Sequence, residues 1–151
     1  MTTSYTDYRG RGFWANDTVI ELWLHLLTHT IPTKPHPAWI ARACDDWAIQ
    51  ASVGFLGCVD VGLDRHLAGD PTREAQFLTL IHDVDEHLTA LGPAIPAATA
   101  TSYRIGGRTE FLVDVDVRIL HRFSASMISL GSARTTEPPP DCFYRRNGPD
   151  E

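Results

Sequence analysis

Apolar residues fill the stretch from 19 to 27 almost without a break. Val19, Ile20, Leu22, Trp23, Leu24, Leu26 and Leu27 cover most of the circumference of a helix, the pattern of a helix buried on nearly every side. Thr18 begins Thr-x-x-Glu, a capping box in which Thr18 and Glu21 satisfy each other's backbone N–H groups, and Asn16 and Asp17 are alternative caps. The helix then runs over 18–30 and stops ahead of Pro32. Phe13 and Trp14 precede the cap, where they would pack on the first turn as a staple. Arg9 and Arg11, spaced by Gly10 and Gly12, would reach back towards Asp17 and Glu21.

Further along, Ile40, Cys44, Trp47 and Ala51 recur at helical spacing and predict a second helix over 38–52, with Pro37 ahead of it. Glycines at 54, 57 and 62 break the segment that follows and leave room only for a short helix over 61–67. Asp70-Pro71 starts and Leu91-Gly92-Pro93 stops a third long helix over 71–91, on which Phe77, Ile81, Val84, Leu88 and Leu91 form one stripe. Thr101, Tyr103 and Ile105 alternate, Gly106-Gly107 fits a two-residue turn, and Thr109, Phe111 and Val113 alternate again, so the pattern predicts a small β-hairpin over 101–113. A last long helix over 115–130 carries Ile119, Phe123, Met127 and Leu130, although Val-Asp-Val-Asp-Val at 113–117 would equally extend a strand.

The fold class expected is therefore mainly α. One helical domain over 1–131 is a bundle of about four long helices, and the proline-rich tail over 132–151 is extended or partly disordered, with Cys142-Phe143-Tyr144 as a docking strap. Of the side chains, Trp23, Leu27, Trp47, Ile81, Val84, Leu88, Ile119 and Phe123 are expected in the core, and His82 and Glu86 on the solvent side.

A hydrophobic fraction of 43% with 21% charged residues is that of a chain that folds on a core. The longest apolar stretches, 19–27 and 53–63, are too short to cross a bilayer. The N-terminal residues have neither a basic region leading into an apolar one nor a cleavage site, which favours the cytoplasm over secretion. Three cysteines with no Cys-x-x-Cys pair suit reduced thiols. The net charge of −6 comes from one segment: between 45 and 91 nine acids (Asp45, Asp46, Asp60, Asp64, Asp70, Glu74, Asp83, Asp85, Glu86) face only Arg65 and Arg73. Such a surface repels phosphates, so a nucleic-acid partner is not expected, and it attracts basic ones.

Chemistry-bearing residues gather around the first helix. Glu21, His25 and His29, at i, i+4 and i+8, share one helix face and are the weak alternative for a divalent metal site; otherwise they are that helix's solvent-facing stripe, and no cofactor is expected. Asp83 and His87 form a second carboxylate–imidazole pair, read as structural. Cys58 lies between glycine breaks, where a thiol is accessible. Arg9, Arg11, Trp14, Asp17, Glu21, His25, Trp47, Gln50 and Cys58 are the candidate ligand-binding set, with the tryptophans as walls and the arginines as partners for an anionic group. No Walker loop, G-x-G-x-x-G, G-x-S-x-G or H-E-x-x-H motif names a reaction. Two function classes follow. One is a small acidic binding protein that neutralises a basic protein such as a toxin domain. The other is an enzyme or small-molecule-binding domain with its pocket at the N-terminal Arg/Trp segment and helix one, with or without a metal.

Overall fold

The computed structural model describes residues 2–132 and a strand at Phe143–Arg145, and the protein is mainly α-helical. It opens, however, on strands. β1 (Thr3–Tyr8) and β2 (Arg11–Asn16) form an antiparallel hairpin in which Tyr8 lies opposite Arg11. Arg9 and Gly10 make its two-residue turn, both left-handed at φ 52° and 79°, the twist that flanking strands require. These two strands were not among the expected elements. The inward residues of β1 are Ser4, Thr6 and Tyr8, and a buried face built from hydroxyls has no hydrophobic alternation to read. Nor is there a staple: Phe13 packs on Phe123, ring centroids 5.6 Å apart, while Trp14 faces outwards.

α1 (Asp17–Thr30) begins at Asn16, whose side chain accepts the N–H of Thr18 at 2.9 Å. The Thr18–Glu21 capping box does not form, because Glu21 turns into the protein. As its apolar surface demands, α1 is central, burying Ile20, Leu22, Trp23, Leu24, Leu26 and Leu27 against α2 (Ala38–Val53), α4 (Pro71–Leu91) and α6 (Val117–Gly131). The Trp23 indole N–H donates to buried Ser124 Oγ at 2.8 Å, which fixes α6 against α1. α4 is capped by Asp70 and buries Phe77, Ile81, Val84 and Leu88, with His82 and Glu86 exposed. α6 buries Val117, Leu120, Phe123, Met127 and Leu130. Ile119, expected in its core stripe, is exposed, since the buried face is centred one residue further round. A short α3 (Leu63–Leu67) lies between α2 and α4.

The expected hairpin over 101–113 is absent. β3 (Ala94–Ile95) pairs with β4 (Val115–Asp116), α5 (Ala97–Ser102) lies between them, and 103–114 is a loop. Gly106 and Gly107 donate their N–H groups to the carbonyls of Ala51 and Ser52, at 2.8 and 2.7 Å, instead of turning a hairpin. The end of α2 has unpaired carbonyls to satisfy, and that demand outranks a three-residue alternation. β5 (Phe143–Arg145) adds to β2 antiparallel, giving the order β1-β2-β5, so the expected strap appears here as a strand; the rest of the tail expectation lies outside the described residues. Among the described residues no helix is long and apolar enough to cross a membrane.

The junction of hairpin, α1 and the loop after α2 is Asp17. Its buried carboxylate accepts from the hydroxyls of Thr2 and Ser4 and, at 2.7 Å, from the N–H of Gly57. Asp17→Ala would leave the Ser4 hydroxyl and the Gly57 N–H without this acceptor. The expected loss of stability is about 3 kcal/mol, read as a lower denaturant midpoint at unchanged slope.

Candidate functional site

Asp17, Glu21, His25 and His29 stand one turn apart along α1. Glu21, His25 and His29 were expected to face solvent, but the 103–109 loop folds over the middle of the row. Glu21 is only 4% exposed, and its Oε2 has no hydrogen-bond partner among the described residues. The loop comes so close that a methyl group on Gly106 would lie 2.7 Å from Glu21 Oε2, 3.1 Å from Oε1 and 2.7 Å from Thr109 Oγ1. Glycine is therefore required at 106 by space as well as by its φ of 57°. One turn on, the His25 ring stacks on Tyr103 (4.4 Å, 23°) and tilts against His29 (4.0 Å, 31°), while His29 Nδ1 lies 2.8 Å from the His25 carbonyl.

Burial moves these groups in different directions. Burial alone would raise the Asp17 carboxyl, but the bonds from Gly57, Ser4 and Thr2 hold it below its ordinary 3.8. Glu21 has no such bonds; burial, with the charge of Asp17 behind it, pushes its carboxyl up to about 7. Burial, with His29 alongside, brings His25 down to about 4, so its imidazole is neutral at physiological pH. The row thus presents one anion, one carboxylic acid near its midpoint and one neutral imidazole.

The remaining candidates of the sequence lie apart from this row. Arg9, in the hairpin turn, donates its N–H to Asp64 at 3.0 Å and places its guanidinium 3.9 Å from Glu74. Arg11 is half-buried on β2. Trp14 packs on Tyr5 on the outer face of the hairpin. Trp47 is not a pocket wall but a core residue, its N–H bonded to the Val61 carbonyl at 2.8 Å. Gln50 accepts the N–H of Asp60 at 2.9 Å, and Cys58 is exposed beside Gly57. The nine candidates converge on no single pocket; Asp17, Glu21 and His25 share one row, and Cys58 adjoins Asp17 through Gly57. Among the described residues no three His, Cys, Asp or Glu side chains are arranged to hold a metal ion, the Glu21, His25 and His29 set included. Tyr103, Gly106 and Thr109 were missed, because the only signal they carried was a glycine pair that reads as a hairpin turn.

Open clefts lie elsewhere among the described residues. One of about 580 Å³ is lined by Thr89, Pro93, Asp114, Asp116, Arg118 and His121, but Arg118 is clamped on Asp116 and His121 Nδ1 lies 3.1 Å from Asp85. Another, of about 370 Å³, lies at His29, Thr33, Lys34 and His87, where Lys34 binds Asp83 at 3.1 Å; Asp83 is thus engaged by the lysine, and His87 is exposed. A third, of about 460 Å³, lies on the first turns of α4 at Pro71, Thr72, Ala75, Gln76 and Thr79. No family model, curated protein or solved structure matches this chain.

The opposed shifts of Glu21 and His25 have a measurable consequence. Glu21 titrates at 4.5 when unfolded and about 7 when folded, so its contribution to stability is complete below 4.5 and is lost as pH rises to 7. His25 goes from 6.5 to about 4, so its contribution is complete above 6.5 and is lost as pH falls to 4. The two nearly cancel in the parent protein. Relative to the parent, Glu21→Gln should lose stability as pH falls from 6.5 towards 4.5, and His25→Gln should lose it as pH rises through the same window. Each slope should reach up to about 1.4 kcal/mol per pH unit, measured by denaturant titration at stepped pH.

Proposed function

We propose that this chain is a cytoplasmic protein-binding domain whose partner docks on an apolar lobe at the end of α2. The observation behind the reading is a run of exposed hydrophobic side chains. Ile49 and Val53, one turn apart on α2, are 52% and 53% exposed, and Phe55 and Leu56, in the turn that follows, are 36% and 75% exposed. Single exposed apolar residues are ordinary, but four in one short segment are the mark of an interaction surface. Gly54, left-handed at φ 83°, ends α2, and Phe55 and Leu56 follow it directly in the chain.

The basic partner expected from the charge of the chain, such as a toxin domain that this protein would neutralise, needs a narrower argument. Most acids of the 45–91 segment are already engaged: Asp46 and Asp60 with Arg65, Asp64 and Glu74 with Arg9, Asp70 with Arg73, Asp83 with Lys34 and Asp85 with His121. Exposed Asp45 is not among them, and it stands one turn before Ile49. A partner that sets a basic residue beside an apolar patch matches that arrangement. The second reading, a catalytic or small-molecule site on α1, is favoured by Glu21, a carboxyl in the range useful for general acid–base work. Gly106 lies against both of its oxygens, so a reactant would reach it only with the loop displaced.

Val53→Asp with Leu56→Asp tests the docking lobe. Both positions are exposed, so the double variant should fold with nearly unchanged stability. It should fail to retain a discrete protein that the parent chain captures by cross-linking in cell extract. Equal capture by parent and variant, or none by the parent, would reject the lobe as the docking surface.

A further inference from the structure

We propose that Glu21 is a proton-operated latch for the 103–109 loop: with the carboxyl protonated the loop stays seated on the end of α2, and loss of the proton to bulk solvent lifts it. Three observations place the latch. Glu21 is nine-tenths buried or more, and Oε2 is without a hydrogen-bond partner among the described residues, so an anion there would have lost its water and gained no donor. The backbone directly over it is Gly106, with the side-chain oxygen of Thr109 close by, and that cover limits the water an ionised carboxylate could gather at Oε2. The lid is also strained around a core anchor: Arg104, Gly106, Gly107 and Arg108 are all left-handed, at φ 55°, 57°, 71° and 76°, a conformation that strains the two arginines, while Ile105 between them is buried, so the part that lifts is 106–109. Two N–H bonds, Gly106 to Ala51 and Gly107 to Ser52, tie the loop to the end of α2.

The charges around Glu21 bias the latch the same way. On α1, Asp17 is an anion one turn before it, and His25 one turn after is neutral. The loop brings Tyr103, stacked on His25, together with Arg104 and Arg108, both exposed. The end of α2 over 51–54 has no ionisable side chain, and Cys58, beyond Gly57, is exposed. Burial and Asp17 together place the carboxyl at about 7 against an ordinary 4.5. Opening the loop returns it to solvent, so ionisation favours opening by up to about 300-fold, the ratio set by those two values.

The loop that Glu21 holds is in contact with the lobe. A methyl on Gly54 would lie 2.9 Å from the Gly106 carbonyl, and one on Gly107 would lie 3.2 Å from the Val53 carbonyl. A lifted loop therefore changes the backbone beneath Val53 and Phe55. This consequence rests on reading the lobe as a docking surface; the latch itself does not.

Amide NMR of the isolated chain tests the latch without a partner. From about pH 5 to about pH 9 the Gly106 and Gly107 amides should shift with a midpoint near 7, and their hydrogen exchange, corrected for its intrinsic pH dependence, should accelerate about a hundredfold or more. Glu21→Gln should abolish both effects, with Glu21→Leu as the second variant if the first does not fold. His25→Gln and His29→Gln should leave the midpoint in place. Glycine amides that do not titrate, that titrate unchanged in the Glu21 variants, or that lose their midpoint with either histidine would overturn the latch while leaving the lobe untouched.

Discussion

The carboxylate of Asp17 is the contact on which the rest of the arrangement depends. It is the first residue after the hairpin and the first of α1, and it holds Thr2 and Ser4 of the N-terminal arm and Gly57 of the loop beyond α2. A short hairpin of this kind has little stability alone. Here its inner face is Ser4, Thr6 and Tyr8; Thr6 Oγ1 is buried with no hydrogen-bond partner among the described residues, and the hydroxyls of Ser4 and Tyr8 carry the bonds. Asp17 accepts from Ser4, Ser4 accepts from Val59 N–H at 2.9 Å, and Tyr8 accepts from Gly69 N–H at 3.0 Å. The hairpin is thus held by polar bonds to the loops on either side of α3, with Phe13 as its apolar anchor in the helical core.

That balance explains which parts of the fold could be read from the residues. Trp23, Leu27, Trp47, Phe77, Ile81, Val84 and Leu88 are buried as their spacing requires, and Asp70-Pro71 and Gly92 end α4 as punctuation predicts, because these signals are local to one helix. The hairpin carries no apolar alternation, so its strands stayed hidden, and Arg9 and Arg11 with their glycines read as a segment reaching back towards Asp17 and Glu21. Glu21 misled for a related reason. Thr-x-x-Glu is a sound local signal, yet Asn16 takes the cap, and the loop that covers Glu21 comes from more than eighty positions further along the chain. The candidate site was legible as a row on α1 and illegible as to what covers it. Periodicity shows which residues share a face and says nothing of the segment that arrives from elsewhere.

The end of α2 connects these features. A helix leaves its last carbonyls without intrahelical donors, and a left-handed glycine such as Gly54 does not by itself supply them. Ala51 and Ser52 instead receive the N–H groups of Gly106 and Gly107. That requirement draws the 103–109 loop across α1, and the α1 side chain that meets Gly106 is Glu21. The loop cannot leave without exposing two carbonyls, and it cannot stay without keeping a carboxyl from water. Protonation decides between the two costs, since a neutral carboxyl is far cheaper to bury than a carboxylate. Val53, Phe55 and Leu56 lie directly after those same carbonyls, so whatever sits on the lobe meets a surface whose backing depends on a buried proton one layer below.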